Sequence, residues 1–537
     1  SSPCIPPNPG FRDLSAKSKF LAVSPHSLCL TNFYRIATPS VCHVLPRIVK
    51  PDPIHSLYES TPYPALSYPS CDPAVMAVAA KMAGLDCTPP SSSRILEIGC
   101  SSGHHLLHLA ARWPDSRFTG IDLSTTAIRL ARAAATAAGL ENIDFHDIPL
   151  EDFDFADEQY DFLIAHGFYS WVPPDVKDSL MIRLASLLGE TGIAAIGYNT
   201  LPGWALRRPV GEIIRQWMAL PEALDTPPAR LLEQLEKACP PDTHGTHLRA
   251  LLHHMRTQGA STLLFDDLAE CNTPCTFSDF VDHVQRSGLC YLGESDFTQN
   301  LPASLGDEAL SALSPLASDP IGYQQALDVF SGRSHRVSLV CASGASIGPR
   351  LTTAASQEFA IRIEHQVRRD ATGVSLRHSF RPGAHLSDPP AATLFEILAE
   401  TAPRCLTMQD LMERLDHRLG PGTDLSDHLP ALGDLLMDAL RRGLVLARIE
   451  PVDFSATVPE RPCLAPIRLY SVRHGRSLVD IYHTPLVFSD AEYKLLAAMD
   501  GTRSTTELER LSASFRSGPE FHQWLASLTR HGVFEEI

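Results

Sequence analysis

From residue 94 to residue 198 the chain alternates short apolar runs with longer segments in which apolar residues recur every three or four positions. The short runs predict buried strands, and the periodic segments predict helices. The predicted strands cover residues 94–98, 117–122, 143–146, 160–165 and 193–198, and the first two helices cover residues 104–112 and 125–138. Alternating strands and helices are typical of a parallel sheet that is covered on both faces. The pattern therefore predicts an α/β fold in this part of the chain.

The patterns on either side of this segment are different. Before it, prolines interrupt an aromatic stretch that contains Tyr58, Tyr63 and Tyr68, so this stretch must run as an extended arm. Its tyrosines either pack on the domain or close over a ligand. After it, residues 206–306 have mostly helical apolar spacing, residues 340–385 have strand spacing, and helical spacing returns from about residue 392.

Length and charge narrow the classes of protein that fit these patterns. A chain of 537 residues is long enough for about three domains. Its net charge of -17 argues against general binding of nucleic acid and favours a protein or small-molecule partner. No apolar run reaches the roughly 20 residues that cross a bilayer, so no membrane span is expected. The 13 cysteines include no C-x-x-C pair, which favours reduced thiols and a cytoplasmic location.

The first part of the chain has a composition of its own. Residues 1–54 are rich in Ser and Pro and locally basic, and they lack the apolar segment of a signal peptide. A disordered leader, or an over-extended gene start, is therefore expected here.

The candidate chemistry begins where the first predicted strand ends. Residues 94–103 read RILEIGCSSG, an apolar strand followed by a turn of small residues and then by a helix. Gly99 and Gly103 let the backbone approach a ligand, and the free N–H groups at the start of the helix face it. A dinucleotide turn would have the form G-x-G-x-x-G, but Ser101 and His104 stand at its second and third glycines. The turn therefore predicts a nucleotide-like ligand without a diphosphate.

The form E-x-G-x-x-x-G, from Glu97 to Gly103, resembles motif I of the class I S-adenosylmethionine-dependent methyltransferases. This resemblance implies a Rossmann-like sheet, S-adenosylmethionine as the cofactor and S-adenosylhomocysteine as the product. An acid at the strand end suits a ligand that carries a sulfonium and an amino acid tail. The candidate cofactor site consists of Tyr63, Glu97, Gly99, Cys100, Ser101, Gly103, Asp122, Leu123, Asp147, Ile148 and His166.

Acidic residues near two further strand ends are candidate contacts to the nucleoside. Asp122 ends the second strand 19 residues beyond Gly103, about where ribose hydroxyls need a carboxylate acceptor. The alternative is that Asp122 only caps the following helix. In class I methyltransferases an acid after the third strand reaches the adenine amino group, so the resemblance implies that role for Asp147, with Ile148 beneath the ring. Asp144 is the competing candidate.

Ser101 departs from the pattern of this family. Relatives usually have G-C-G-x-G where this chain has Gly-Cys-Ser-Ser-Gly over residues 99–103. If residue 101 requires a positive φ, a serine there is strained and weakens cofactor binding, because only glycine visits that region freely. A small hydroxyl is the mildest such change, so cofactor binding is still expected.

Two aromatic loops narrow the resemblance. Residues 166–173 have the form H-G-x-Y-S-W-V-P, and residues 197–204 have the form G-Y-N-T-x-P-G-W. Both are similar to loops of the bacterial methyltransferases with a methyltransferase regulatory domain, a group that includes rickettsial protein lysine methyltransferases. The resemblance implies three domains after the leader. They are a cofactor-binding methyltransferase domain with the aromatic arm at residues 55–205, a mainly helical regulatory domain at 206–345, and a winged-helix-like docking region at 346–537.

The same loops supply the candidate acceptor site. Methyl transfer requires that a neutral nucleophile is aligned with the methyl group and that water is excluded, and aromatic faces tolerate the cations involved. The leading hypothesis is methyl transfer to a protein, at a lysine amine. A small-molecule or O-methyltransferase and a catalytically weak cofactor-sensing regulator are the alternatives. The candidate acceptor residues are His166, Tyr169, Trp171, Tyr198, Asn199 and Trp204.

Other kinds of site have weaker support. His104 and His108 lie four residues apart on a predicted helix, but no Glu or Cys accompanies them at ligand spacing, so no metal site is expected. The chain has no G-x-S-x-G element, which leaves serine hydrolase chemistry unsupported. A winged helix often binds DNA, but the acidic total favours a protein-docking role.

Overall fold

The computed structural model describes residues 53–535, apart from 62, 154–157, 222–225, 301–304, 346–357, 379–382, 421–428, 453 and 456. Only the last two residues of the leader expected at 1–54 belong to this range. The rest of that prediction lies outside the described residues.

A seven-stranded sheet forms the centre of the described chain. Its strands are β1 (Arg94–Ile98), β2 (Arg117–Asp122), β3 (Ile143–Asp147), β4 (Tyr160–Ala165), β5 (Leu188–Asn199), β6 (Leu289–Glu294) and β7 (His335–Ala342). The strand order is β3-β2-β1-β4-β5-β7-β6. The first five strands pair in parallel, and β7 runs antiparallel to both of its neighbours. The fold is therefore a mixed α/β sheet of the Rossmann-like type.

The sequence pattern predicted the five parallel strands correctly. The first four begin at the predicted residue, and β3 extends one residue further, to Asp147. The fifth begins at Leu188, five residues before the predicted start at 193. Leu188 pairs with Tyr160 ahead of a register shift in the β4–β5 ladder, so the polar residues between Leu188 and the apolar run also belong to the strand.

β6 and β7 extend the sheet from a part of the chain that the sequence pattern assigned to the middle domain. β7 lies between β5 and β6, and its Leu339, Val340 and Cys341 are fully buried. The 206–345 segment therefore contributes two strands to the central sheet as well as helices. Pairing between β5 and β7 joins residues far apart in the chain, so it leaves no local pattern.

Helices cover both faces of the sheet and fill the segment between β5 and β6. On one face Leu106 and Ile128 join a large apolar cluster, and on the other Leu180 and Phe280 join a second one. The helices of this part are α1 (Pro53–Ser60), α2 (Pro73–Met82), α3 (His104–Arg112), α4 (Thr125–Ala138), α5 (Pro174–Leu187), α6 (Leu201–Trp204), α7 (Arg207–Met218), α8 (Pro228–Ala238), α9 (Thr243–Thr257), α10 (Ala260–Thr262), α11 (Phe277–Arg286), α12 (Asp307–Leu313) and α13 (Pro320–Ser331). A π-helical turn (Leu263–Asp267) follows α10.

The helices between β5 and β6 have an apolar core of their own. Ile214 on α7, Leu231 and Leu232 on α8, and Leu252 on α9 are buried together. All four lie in the segment whose apolar spacing predicts helices. The helices expected between residues 206 and 306 are therefore present, as an insertion that follows β5.

The C-terminal part combines short strands with helices. Its strands are β8 (Phe359–Arg362), β9 (Gln366–Asp370), β10 (Gly373–Arg377), β11 (Ala384–Leu386), β12 (Leu406–Thr407), β13 (Leu446–Ile449), β14 (Leu478–Val479) and β15 (Pro485–Leu486). Its helices are α14 (Pro389–Thr401), α15 (Met408–Leu419), α16 (Leu429–Arg441), α17 (Pro466–Arg473), α18 (Asp490–Leu496), α19 (Thr505–Ser512) and α20 (Gly518–Arg530). β12, β8 and β13 form a three-stranded antiparallel sheet.

The last segment of the chain packs against α3, the helix that follows the motif turn. Arg112 donates a hydrogen bond of 2.6 Å to the carbonyl oxygen of Ile481. The Nε2 atom of His483 lies 2.7 Å from Nδ1 of His105. The C-terminal part therefore buries the outer side of the helix that begins at the candidate cofactor site.

Within the described ranges, no helix is both long enough and apolar enough to cross a membrane.

Candidate active site

A cavity of about 300 Å³ lies at the carboxyl edge of the sheet, where β1, β2 and β4 end. Open α/β sheets bind their ligands at this edge. The aromatic arm and the π-helical turn complete its wall. The predicted site residues that belong to the wall are Tyr63, Glu97, Gly99, Cys100, Ser101, Asp122, Leu123, Ile148, His166 and Trp171.

The turn after β1 has a left-handed backbone at three positions. Gly99, Ser101 and Gly103 have φ angles of +76°, +49° and +69°. A Cβ atom at Gly99 would lie 2.9 Å from Cδ2 of Phe168, so the site has no space for a side chain there. Both the positive φ and the close approach of Phe168 therefore require glycine at residue 99. Ser101 also has a positive φ, which is strained for serine and is the conformation considered for residue 101 in the sequence analysis.

Asp122 lies beside this turn and is held by backbone N–H groups. One carboxylate oxygen accepts a 2.8 Å hydrogen bond from the N–H of Ser101, and the other accepts a 2.9 Å bond from the N–H of Ser124. Ser124, not Asp122, caps α4, because its Oγ accepts from the N–H of Ala127 at 3.1 Å. Burial raises the pKa of Asp122. The carboxylate is fixed in the cavity wall and has lone pairs left for a ligand.

Glu97 is a buried carboxylate that lines the same cavity. Its side chain is 2% exposed, and its Oε2 atom has no hydrogen-bond partner among the described residues. Burial, and then the negative charge of Asp122, raises the pKa of Glu97 well above its usual value. A buried carboxylate oxygen without a partner is costly, and a cationic or N–H-donating ligand would satisfy it.

The aromatic arm packs on the protein and also lines the cavity, and closure of its tyrosines over a ligand stays a prediction. Tyr58 lies on the helix α1, so the prediction that this stretch is extended throughout is wrong at its start, because the prolines that interrupt it come after Tyr58. The ring of Tyr68 lies 3.8 Å from that of His166, centroid to centroid. Tyr58 and Tyr63 contact the ring of Phe265, with centroids 5.3 and 5.1 Å away. All three tyrosines belong to the cavity wall. The arm therefore connects the cofactor side of the cavity with the π-helical turn.

His166 and Trp171 are the two predicted acceptor residues in the wall. Burial lowers the pKa of His166 well below its usual value, so its imidazole is neutral at pH 7. Its Nδ1 atom lies 3.6 Å from Sγ of Cys71. Trp171 donates a 3.1 Å hydrogen bond from Nε1 to the carbonyl oxygen of Phe265. Trp171 therefore fastens the π-helical turn to the sheet.

Tyr169 and Tyr198 lie outside the cavity wall. Tyr198 is fully buried, its ring stacks on Phe280 at 4.0 Å, and its hydroxyl lies 3.1 Å from Oγ of Ser338. The hydroxyl of Tyr169 lies 2.9 Å from Nδ1 of His283. Both side chains thus fill the interface between the sheet and α11.

Asn199 and Trp204 are likewise outside the wall. The side-chain amide of Asn199 donates to Oδ1 of Asn272 at 3.0 Å, and the guanidinium of Arg207 lies 4.4 Å from the ring centre of Trp204. These residues hold the helical insertion against the sheet. The loop pattern could not reveal this, because aromatic residues at strand ends are often packed in the core.

Gly103 and the two acids considered for the adenine also lie outside the wall. Asp147 is exposed and forms an ion pair with Arg132, with an N–O distance of 3.0 Å. Asp144 is exposed as well. A Cβ atom at Gly103 would lie 2.5 Å from Phe145, so this glycine serves the packing of α3 against the sheet.

Several residues of the wall were not predicted. Phe168 and Glu151 belong to it, and so does Asp266 of the π-helical turn. Phe168 directly precedes the predicted site residue Tyr169 in the sequence, which was the available signal. Asp266 had no such signal, because the sequence pattern contains nothing that predicts a π-helical turn.

Two family models match the chain. One is described as "Methyltransferase domain" and matches residues 95–192. The other is described as "Predicted methyltransferase regulatory domain" and matches residues 259–342. The first covers the motif turn, the strands β1 to β4 and the start of β5, and the second contains the π-helical turn, β6 and β7.

Relatives occur in Rickettsia prowazekii (strain Madrid E). The uncharacterized protein RP789 is 28% identical over 316 residues, which are 57% of this chain and 56% of RP789. The uncharacterized protein RP028 is 30% identical over 239 residues, which are 43% of this chain and 94% of RP028. The chain thus spans just over half of the first relative and nearly all of the second.

Among solved structures, PKMT2 from Rickettsia typhi in complex with AdoHcy is similar to this chain with a TM-score of 0.78. The match covers 88% of this chain and 100% of PKMT2, at 20% sequence identity. At this identity the likeness concerns the fold, including the C-terminal part.

Proposed function

The chain belongs to the S-adenosylmethionine-dependent methyltransferases that carry a methyltransferase regulatory domain, and on this premise we propose that it methylates a lysine side chain of a protein. The motif turn, the aromatic loops and the two family models support this proposal together. The related PKMT2 fold binds AdoHcy, the product that remains after methyl transfer.

Two features of the cavity fit the cofactor. The unpartnered Oε2 of Glu97 suits the ammonium of the amino acid tail, and the left-handed turn that begins at Gly99 lies in the same wall. Asp122 would accept hydrogen bonds from the ribose hydroxyls, while Leu123 and Ile148 would flank the base. Asp147 does not belong to this set because its carboxylate pairs with Arg132 outside the cavity wall. The cofactor supplies a methyl group on a positively charged sulfur.

The charge of the wall carries the proposal of an amine acceptor. It contains four acidic residues, Glu97, Asp122, Glu151 and Asp266, and none of the described residues in it is Lys or Arg. A cavity lined by one sign of charge concentrates ligands of the opposite sign. The sulfonium and the ammonium of a lysine are both cations, whereas a carboxylate or phosphate acceptor would be repelled.

The aromatic side chains suit the requirements of methyl transfer. The reaction needs in-line alignment of nucleophile and methyl group in a site from which water is excluded. Tyr63, Tyr68 and Trp171 supply apolar faces around the cavity, and such faces also stabilise an ammonium through cation–π contact. His166, neutral at pH 7, can accept a hydrogen bond from an incoming amine.

The C-terminal part supports a protein as the partner. The three-stranded sheet of β8, β12 and β13 accompanies three helices, α14, α15 and α16, which is consistent with the proposed winged-helix-like docking region. The net charge of -17 favours protein over nucleic acid as the docked partner.

A labelling experiment tests the proposal. The purified chain is first titrated calorimetrically with S-adenosylmethionine, and then incubated with the methyl-labelled cofactor and a bacterial lysate. We expect binding followed by label in a protein band, and mass spectrometry of that band should find methyl-lysine. A variant with Gly99 replaced by Val serves as the control without cofactor binding, because a side chain there collides with Phe168.

The other outcomes distinguish the alternatives. Label in a small molecule, or at a side chain other than lysine, would contradict the lysine proposal. It would favour the alternative of a small-molecule or O-methyltransferase. Binding without any labelled product would favour a regulator that senses the cofactor.

A further inference from the structure

The π-helical turn Leu263–Asp267 carries a residue of the regulatory segment into the wall of the cofactor cavity. Phe265 is clamped by the rings of Tyr58 and Tyr63 and by the hydrogen bond from Trp171 to its carbonyl oxygen. The next residue, Asp266, lines the cavity. π-helical turns contain an extra residue and are frequent at functional sites. The turn is therefore held where its acidic side chain meets the ligand space.

Asp266 and its neighbour Asp267 have different environments. Asp267 is buried, and both its oxygens accept hydrogen bonds from Arg207, which also donates to Oε1 of Gln258 at 2.7 Å. The side chain of Asp266 has no hydrogen bond or ion pair to any residue in the described part of the chain, although its backbone oxygen accepts from Asn272 at 3.1 Å. Asp267 anchors the turn, and the carboxylate of Asp266 is left for a ligand.

The electrostatic neighbours of Asp266 connect it with the cofactor side of the cavity. Burial, and then the charges of Asp122 and Asp266, raises the pKa of Tyr58 to about 12. The pKa of Tyr68 is raised by burial and by charges that include those of Glu97 and Asp266. The same tyrosines therefore lie within reach of Asp266 and of the two carboxylates proposed to hold the cofactor. Burial and the charge of Asp267 raise the pKa of Asp266 to about 6.

A second cavity adjoins this corner. Its volume is about 520 Å³, and it shares Tyr58 and Trp171 with the cofactor cavity. Phe265 also lines it. This second cavity has space for the residues that flank the acceptor side chain in its protein. The rings of Tyr58 and Trp171 lie between the two cavities.

We propose that Asp266, together with the rings of Tyr58, Tyr63 and Trp171, is the binding site for the ammonium of the acceptor side chain. A carboxylate beside aromatic faces binds an alkylammonium through a charge-assisted hydrogen bond and cation–π contact. The regulatory segment thereby selects a cationic acceptor. The bound ammonium releases one proton to solvent, and the lone pair of the neutral amine then attacks the methyl carbon while the carbon–sulfur bond breaks and S-adenosylhomocysteine is left. This proposal rests on the proposed lysine methyltransferase function, for which it names the residue that recognises the substrate.

Sinefungin, an S-adenosylmethionine analogue with an amine in place of the methyl-bearing sulfonium, tests the site without a known acceptor. Its dissociation constant and that of S-adenosylhomocysteine are measured by calorimetry for the wild type and for Asp266→Asn. We expect the variant to bind sinefungin about tenfold to a hundredfold more weakly, because a charge-assisted hydrogen bond is lost. S-adenosylhomocysteine carries no such amine, so its affinity should change by less than about twofold.

Asp282→Asn is the matched control. It removes the same charge from an exposed position on α11, outside the cavity wall. It should leave both dissociation constants unchanged. Equal weakening of both ligands by Asp266→Asn would assign the residue to the cofactor itself and overturn the proposal. So would an unchanged affinity for sinefungin.

A kinetic measurement separates this proposal from the proposed function. With the labelled acceptor protein, Asp266→Asn should raise the KM for that protein at least about tenfold and leave the KM for S-adenosylmethionine unchanged. If the wild type methylates lysine and the variant has an unchanged KM, the site is wrong while the function stands. If the wild type methylates no lysine, the proposed function itself fails, whatever the sinefungin result.

Discussion

The backbone N–H of Ser101 donates a 2.8 Å hydrogen bond to the carboxylate of Asp122, which ends the neighbouring strand β2. This bond gives the left-handed residue 101 a fixed partner. Both residues belong to the cavity wall, so the shape of the motif turn and the position of the proposed ribose acceptor depend on each other.

Replacement of Asp122 by Ala should weaken cofactor binding. The variant loses the proposed contact to the ribose hydroxyls and leaves the N–H groups of Ser101 and Ser124 without their acceptor. We expect the dissociation constant of S-adenosylhomocysteine to rise at least about tenfold, since charge-assisted hydrogen bonds are lost. Calorimetric titration measures this constant directly.

Asp144→Ala is the control for that experiment. It removes a carboxylate from the adjacent strand β3, at an exposed position outside the cavity wall. Its dissociation constant should equal that of the wild type. If Asp122→Ala binds as tightly as Asp144→Ala, then Asp122 does not contact the cofactor.

Ser101→Gly should not destabilise the protein, in contrast to Ser102→Gly. Ser101 has a φ of +49°, and glycine relieves a strain of about 1 kcal/mol that offsets its greater flexibility in the unfolded chain. Ser102 is buried and does not have a positive φ, so glycine there costs about 0.5–1 kcal/mol. Urea unfolding measures both free energies of unfolding. Equal losses in the two variants would show that residue 101 is not strained.

Gly99→Ala and Gly167→Ala separate backbone strain from crowding. Both glycines have a similar positive φ, +76° and +68°. A Cβ atom at residue 99 would lie 2.9 Å from Phe168, whereas one at residue 167 has no atom within 4 Å. Gly167→Ala should therefore lower the free energy of unfolding by about 1–2 kcal/mol, and Gly99→Ala by about 1–3 kcal/mol more. In a Phe168→Ala background, a Cβ at residue 99 no longer meets the Phe168 ring. Gly99→Ala and Gly167→Ala should then lower the free energy of unfolding by the same amount.

The sequence predicts that Glu97 and Asp122 lie at one edge of the sheet, because both stand at the carboxyl ends of neighbouring parallel strands. Their contacts with the cofactor stay a prediction. The sequence also shows a serine at residue 101, where the family pattern has glycine. In the structure this serine has a positive φ.

The other side of the cavity could not be predicted in the same way because later parts of the chain complete it. Tyr198 lies near the end of β5 at the edge where ligands bind, yet α11 covers it and its ring stacks on Phe280. Asp266 comes from a π-helical turn within the insertion, and contacts with Trp171 and Arg207 hold that turn at the cavity. Pairings of this kind depend on tertiary packing, which the spacing of apolar residues does not encode.

The stability of the protein should fall below pH 6.5 because of a group of buried histidines. Burial lowers the pKa of His104 to about 3 and that of His105 to about 4, and it lowers those of His108 and His483 as well. In the unfolded chain these imidazoles take up protons near pH 6.5. The unfolded state therefore binds more protons between pH 6.5 and 4, and the free energy of unfolding is fully present above this range and decreases as the pH falls through it. Each histidine contributes about 1.4 kcal/mol per pH unit there.

His483→Asn should reduce this pH dependence by the share of one histidine. Asn tolerates the positive φ of +67° at this position, and it does not titrate. Between pH 6 and pH 5 the free energy of unfolding, measured in urea, should fall by about 1.4 kcal/mol less in the variant than in the wild type. The absolute stability of the variant is lower because the 2.7 Å contact with His105 is lost, so the difference between the two pH values is the informative quantity. His417→Asn, at an exposed position on α15, should retain the wild-type difference. If His483→Asn also retains it, then His483 takes up its proton in the folded protein, and the contact with His105 does not keep it neutral.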